Sequence, residues 1–402
     1  MIKTAFLFHR FGPYHHARLR AVKREVEVVG VELSAVDTTY AWATELPSQS
    51  FRQVTLFHDR DVIHENGGEI IRRVHAALDE IRPAVVAIPG WGDRGALAAL
   101  SWCVRQGVPA IIMSDSTFLD LPRVWWKEAI KSHVVYLCQA GFAAGARTRD
   151  YMAKLGMPRE RIFVGYDVVD NEHFQRGASH ARENAAGLRQ QLGLPERFFL
   201  SSNRFIANKN LATLLRAYAG YRKMADHEPW KLVLLGDGEL RGKLELLREE
   251  LGLCDAVLMP GFKQYQELPD YYGLAGAFVH TSTVEQWGLV VNEAMAAGLP
   301  VLVSRRCGCA DDLIQDGVNG YGFDPLNGDL IAALLAKVAG MSLSERTAMG
   351  EASRQIIARW SPATFEQNIV LAVQAALTAP LRKSRILDRV FLRTIIHLGK
   401  SS

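Results

Sequence analysis

The strongest constraint on this chain is a rhythm that runs twice. Short apolar runs alternate with helical stretches: "KTAFLF", the polar loop "HRFGPYHH", the helical "ARLRAVKREVEVV", then "VELSAV". Further on come "AVVAIPG", "WGDRGALAALSWCVRQG" and "VPAIIMS". Strands separated by helices imply parallel pairing through crossover connections, an α/β fold. The rhythm pauses from Gln175 to Glu196, a polar Ala/Arg/Gln-rich stretch with no strong apolar stripe, and restarts at "RFFLSSNRF". A chain of 402 residues suits two domains. The division reads as a first domain over 1–175, a linker over 176–196, a second domain over 197–360, a helix over 361–379 and a tail over 380–402. Open α/β sheets bind ligands at the carboxyl ends of their strands, so a cleft between the two units is the natural site.

Composition narrows the function classes. No apolar run reaches the ~18–20 residues that span a bilayer. The N-terminus "MIKTAFLFHRFG" has too short an apolar core for a secretory signal and reads as a buried strand, which makes cytoplasmic residence the expectation. The five cysteines are unevenly spaced and do not read as a disulfide framework; Cys307 and Cys309 form the one close pair, with no second Cys/His pair to complete a metal site. Net charge is +4, but the stretch Arg382–Lys400 alone carries +5, leaving the body at −1. Such a body is not a nucleic-acid binder by composition.

Three motifs carry candidate chemistry. In "STVEQWGLVVNEAMAAGLPVLVS", Glu285 and Glu293 stand with seven residues between them in an apolar run. Helical character from Gly288 to Ala297, with Gly298 and Pro300 as stop signals, places Glu285 before the helix and Glu293 inside it. A carboxylate near a helix N-terminus suits the dipole. Glu293 has Leu289, Val290, Ala296 and Ala297 as its helical neighbours and no solvated face, so something polar must meet it. In "SSNRFIANKN", Arg204 and Lys209 lie in a loop opening a helix, a pattern that suits a phosphate, or two solvated surface cations. In "LLGDGELRGKL", Gly236 and Gly238 follow a strand, but the third glycine of a dinucleotide fingerprint would fall at Arg241. They read as a tight turn or a close ligand approach.

Together these segments resemble family 4 of the retaining glycosyltransferases. "EQWGLVVNEAMAAGLPVLVS" is similar to the family's E-x7-E signature, "NRFIANKN" to its Arg-x4-Lys segment, and "LLGDGEL", "MPGF" and "DGVNGYGF" to its later landmarks, in order. The resemblance covers roughly 161–360 and implies a GT-B architecture, two Rossmann-like domains facing a cleft, with the acceptor on the first domain and a nucleoside-diphosphate sugar on the second. It implies that Arg204 and Lys209 hold the diphosphate, that Glu285 contacts the transferred sugar, and that Glu293 accepts from the ribose. Amides of Trp287, Gly288 and Leu289 would assist, Gly236 would lie close to the donor, and the stretch Gly261, Phe262 and Lys263 would border the base. It further implies front-face retention with no metal ion and no cofactor beyond the donor. Two alternatives stand beside transfer: a GT-B sugar-nucleotide epimerase, and a non-catalytic sugar-nucleotide-binding protein.

The first half departs from the family pattern. The loop after the first strand reads "RFGPYHH", with Gly12 alone where relatives carry paired glycines, and Asp115 stands where many carry a histidine. Asp115, His15 and His16 are the acceptor-side candidates. Two regions suggest a glycan or lipid-linked acceptor met at the inner face of a membrane. "RVWWKEAIKSHVV" spaces Arg123, Lys127 and Lys131 four apart beside Trp125 and Trp126, and the tail mixes its cations with Ile386, Leu387, Val390, Phe391, Ile395 and Ile396. The competing reading packs the tryptophans in the core and docks the tail on the protein.

Overall fold

The computed structural model describes residues 1–23, 25–36, 50–225, 228–381 and 385–398. The chain forms two units, Met1–Val168 with Pro362–Ser402, and Val169–Ser361.

The first unit holds strands β1 (Ile2–Phe8), β2 (Val26–Ser34), β3 (Arg52–Phe57), β4 (Val85–Pro89), β5 (Ala110–Ser114), β6 (Ala140–Ala143) and β7 (Ile162–Val164). They form one parallel sheet in the order β3-β2-β1-β4-β5-β6-β7. Its crossover helices are α1 (Pro13–Ala21), α2 (Gly67–Ile81), α3 (Arg94–Gln106), α4 (Trp125–Leu137) and α5 (Ala146–Lys154). Helix α2 shows how the sequence dictates these elements. Asn66 caps the Glu69 amide, and Ile70, Val74, Leu78 and Ile81 recur at helical spacing and are buried against Val31, Ile88 and their neighbours. Asp93 does the same for α3, accepting from Ala96 at 2.7 Å.

The second unit opens with α6 (Asn171–Glu183) and α7 (Ala185–Leu192). The polar stretch 176–196, read as a linker, therefore folds mainly as helix. Helix α6 buries Phe174, edge-on to Tyr272 at 5.8 Å, together with the small Ala178 and Ala181. A buried face made of one aromatic and two alanines is why no strong apolar stripe marks it. Strands β8 (Phe198–Ser202), β9 (Lys231–Leu235), β10 (Val257–Gly261), β11 (Ala277–His280), β12 (Val301–Ser304) and β13 (Gly320–Phe323) form a second parallel sheet, ordered β10-β9-β8-β11-β12-β13. Around it lie α8 (Leu211–Met224), α9 (Arg241–Glu250), α10 (Leu268–Leu274), α11 (Leu289–Ala296), α12 (Ala310–Leu313), α13 (Gly328–Gly340) and α14 (Leu343–Ile357).

Two last helices belong to the first unit. In α15 (Pro362–Thr378), Phe365 packs edge-on to Phe142 of β6 at 5.1 Å, and Asn368 donates to the Val164 carbonyl of β7. In α16 (Ile386–Leu398), Leu392 and Ile396 enter the core beside α2 and α3. Arg382, Lys383 and Lys400 of the basic tail lie outside the described residues. Among the described residues no helix is long and apolar enough to cross a membrane.

Each sheet reverses its strand order once, between β1 and β4 in the first unit and between β8 and β11 in the second. Diverging crossovers on either side open a crevice at the carboxyl ends of those strands, the place where such sheets hold ligands.

Candidate active site

In the second unit the reversal point carries the motif residues. The loop after β8 bears Arg204 and Lys209, and the loop after β11 bears Glu285. The two loops are held to each other through the backbone: Thr283 N–H donates to the Asn208 carbonyl at 2.8 Å, and Thr281 Oγ1 donates to the Lys209 carbonyl at 3.1 Å.

The side chains converge on one oxygen. Glu285 Oε2 accepts from the Lys209 ammonium, from His280 Nε2 at 2.9 Å and from Ser282 Oγ at 3.0 Å. Burial by itself would raise the Glu285 pKa, but the His280 hydrogen bond and the Lys209 charge more than offset it and hold the carboxyl well below the usual range. His280 is 0% exposed, and burial lowers its pKa despite Glu285. Its Nδ1 is buried with no partner among the described residues. A neutral ring with the proton on Nε2 satisfies this arrangement, since a proton on Nδ1 would be stranded. Glu285 Oε1 accepts no hydrogen bond among the described residues, so one oxygen is pinned and the other is not.

Gly288, at φ 106°, caps α11, and the amides of Gly288 and Leu289 have no acceptor among the described residues. They add positive potential beside Glu285. Trp287 is buried, donates from Nε1 to Asn292 at 3.0 Å and stacks on Trp360, so its ring is structural. The Cys307–Cys309 pair has a backbone role. Gly308 N–H donates to the Glu285 carbonyl at 2.9 Å, and a Cβ on Gly308 would stand 1.7 Å from the Gln286 carbonyl oxygen. Both cysteines are buried, and their backbone braces the Glu285 segment: Cys307 pairs with Glu285 in a β-bridge, and Cys309 N–H donates to the Trp287 carbonyl at 3.2 Å.

Glu293 is fully buried in α11, and its polar partner is a protein residue: Tyr272 of α10 donates to Oε2 at 2.6 Å. What comes close to Gly236 is likewise the chain itself. A Cβ there would lie 1.7 Å from the Asn203 carbonyl oxygen, and one on Gly238 would lie 2.8 Å from the Phe205 carbonyl oxygen. These glycines, both at positive φ, let the Arg204 loop cross the turn after β9. Gly261 adjoins them, accepting from the Gly236 amide at 2.9 Å. Phe262 is exposed, while Lys263 pairs with Glu267 at 3.8 Å and lies over Tyr271.

The first unit is arranged differently. Gly12 caps α1 and donates to His15 Nδ1 at 3.1 Å. His16 is 1% exposed between the Phe11 and Phe51 rings, a core residue where a loop histidine was expected. Burial and neighbouring arginines lower His15 to about 3 and His16 to about 4. Asp115 follows β5, half-buried, with its pKa pushed up to about 7 by burial and the charges of Asp167 and Asp120, against Arg18. Arg18 is 2% exposed; it bonds Asp167 at 2.8 Å and the Val168 carbonyl at 3.1 Å and lies over the Tyr166 ring.

His280, Ser282, Tyr272, Arg18 and Asp167 escaped sequence reasoning. His280 ends a strand of ordinary appearance; its one signal was a polar residue at the carboxyl end of a strand.

Residues 187–356 match the family described as "Glycosyl transferases group 1". The chain is 30% identical over 274 residues to the alpha-D-kanosaminyltransferase of Streptomyces kanamyceticus, covering 64% of this chain and 65% of that one. It is 34% identical over 160 residues to the alpha-monoglucosyldiacylglycerol synthase of Streptococcus pneumoniae, covering 39% and 36%. The chain thus spans between about a third and two thirds of these curated relatives' own length. The crystal structure of Anabaena HepE in complex with UDP and glucose superposes with a TM-score of 0.73 at 18% identity, over 93% of this chain and all of that one. That likeness establishes the GT-B fold, two Rossmann-like domains.

Proposed function

We propose that this chain, whose second unit carries the group 1 glycosyl transferase sequence, is a retaining glycosyltransferase that moves a sugar from a nucleoside diphosphate to a hydroxyl of a glycan or lipid-linked acceptor. The observation that carries the reading is the convergence of Lys209, His280 and Ser282 on Glu285 Oε2 at the strand-order reversal, with Oε1 left over. A carboxylate held ionised beside an ammonium suits a donor whose sugar gains positive character while its diphosphate gains negative charge. On this reading Glu285 Oε1 faces the sugar, and Lys209 with Arg204 takes the diphosphate. Glu293 takes the ribose from the floor of the site, sharing its carboxylate with Tyr272. The amides of Gly288 and Leu289 add to the anion site.

The C1–O bond to the diphosphate breaks as the acceptor oxygen bonds C1 on the same face, and the acceptor proton passes to the departing phosphate oxygen. The cations, rather than a metal ion, are assigned the leaving charge. Because Lys209 pairs with Glu285 here, the donor diphosphate would draw the ammonium partly from the carboxylate. Asp115 is assigned to the acceptor side, where burial and the Asp167 charge favour its protonated form more than in a free carboxyl. Relatives whose names specify diacylglycerol or a dolichol-linked oligosaccharide support a lipid-linked acceptor.

Thermal-shift screening against nucleoside diphosphates and their sugars, followed by transfer assays, tests the reading. Donor binding should come with slow donor hydrolysis even without acceptor. Tight binding with neither hydrolysis nor transfer would leave a binding protein, and exchange of sugar stereochemistry on the nucleotide would leave an epimerase.

A further inference from the structure

The first unit exposes large apolar side chains where its acceptor-side strand ends. Trp125, at the start of α4, is 82% exposed and Trp126 is 48% exposed, against the competing reading that packs them in the core. Leu119 and Leu121 in the preceding loop are exposed as well. A monomer scatters such residues singly; four within eight positions make a patch that calls for a cover.

The same surface continues onto α16. His133 of α4 bonds Asp388 at 3.1 Å and meets the Phe391 ring edge-on at 4.5 Å. Leu392 and Ile396 anchor the inner face of α16 in the core, and Ile386, Leu387 and Val390 face solvent, 79%, 75% and 56% exposed. The tail therefore docks on the protein and keeps a second apolar face outward.

Charge selects the occupant. The acids of the two helices are spent inward: Asp388 on His133, and Glu128 on Lys131, Arg123 and the Tyr151 hydroxyl. Of the three cations expected on one face of α4, Arg123 and Lys131 are thus drawn in and Lys127 stays exposed beside Trp126. Exposed Arg385, Arg389 and Arg393 ring the outer face of α16. Tryptophan and aliphatic side chains interleaved with cations, and no outward acid on either helix, match the composition of a surface that lies on anionic lipid.

We propose that the 117–126 loop, the start of α4 and the outer face of α16 form one surface that seats this chain on an anionic bilayer. The loop runs on from Asp115 at the carboxyl end of β5, so a seated chain would meet a lipid-linked acceptor where that strand ends; this second half rests on the transfer reading above.

Cosedimentation of the full chain with vesicles of mixed phosphatidylglycerol and phosphatidylcholine, against phosphatidylcholine alone, tests the surface. Binding should favour the anionic vesicles and weaken in high salt. The double variant Trp125→Ser/Trp126→Ser should lose at least about tenfold in vesicle affinity, and Lys127→Glu/Arg393→Glu a similar amount. Both should keep the wild-type melting temperature and nucleoside-diphosphate affinity, since these side chains are outside the core. Absence of anionic-vesicle binding, or binding that both variants leave unchanged, overturns the proposal. So does self-association that the tryptophan variant abolishes without any vesicle binding, which would assign the patch to a second copy. If the wild type binds vesicles but no nucleoside diphosphate, the surface stands and the sugar-transfer reading fails.

Discussion

The two units share a topology and use its reversal point in opposite ways. In the second unit, three side chains, Lys209, His280 and Ser282, meet at one carboxylate and leave Glu285 Oε1 over. In the first, the buried polar groups largely satisfy one another: Arg18 bonds Asp167, and Glu32 accepts from the Phe11 amide and Thr55. The same sheet edge can be a binding device or a piece of architecture, depending on whether its charges are consumed internally. Asp115, half-buried with its carboxyl pushed up to about 7, is the exception in the first unit.

Removing one buried ion from each unit separates the two roles. Arg18→Met strands Asp167 in the core and should cost about 3–5 kcal/mol of stability, read by denaturant unfolding. Turnover of the fraction that stays folded should change far less than in Glu285→Gln, and only through Asp115, whose pKa the Arg18 charge holds down. If Arg18→Met melts normally but loses turnover, the contrast between the units breaks.

Glu285→Gln should lower kcat by about 10²–10³ while nucleoside-diphosphate affinity stays within a few-fold, because on the proposed transfer reading it removes a charge aimed at the sugar. Steady-state kinetics with calorimetric binding separates the two. Equal losses in both would show that Glu285 merely holds the loop together.

His280 sharpens the comparison, since it acts through Glu285. His280→Leu should reduce kcat by roughly tenfold, the lower end of what a positioned polar group supplies. It should also move the acid limb of the pH–rate profile upward, because Glu285 loses a donor that keeps its pKa low. His280→Gln, which restores a donor, should recover part of both.

A pH dependence marks the first unit as well. His15 and His16 are held neutral, with pKa values of about 3 and 4 against 6.5 unfolded. The unfolded chain binds the extra protons first as pH falls below 6.5. Stability is therefore full above that value and declines toward pH 4, by at most about 1.4 kcal/mol per pH unit per histidine. His15→Gln should flatten the melting temperature between pH 6.5 and 4; an unchanged slope would remove His15 from the account.

Much of this was legible in the chain. Apolar runs at crossover spacing dictated two parallel sheets, because a strand followed by a helix has few other ways to bury both. The segment from Gly288 to Gly298 announced its helix within a residue, since both ends are glycines at positive φ. The placement of Glu293 demanded a polar partner, because a carboxylate without one is costly in an apolar helix. The identity of that partner was decided by the tertiary fold. Tyr272 lies 21 residues away in a helix that reads as ordinary, and it meets Glu293 only through the packing of α10 and α11. Lys209 and Glu285, 76 residues apart, meet because β8 and β11 are neighbours across the reversal. Exposure was decided the same way: Leu387 and Leu392 of α16 are the same residue type, yet Leu392 is buried and Leu387 is not. Local sequence sets which groups must find partners and which way each segment coils; strand order and helix packing set who the partners are.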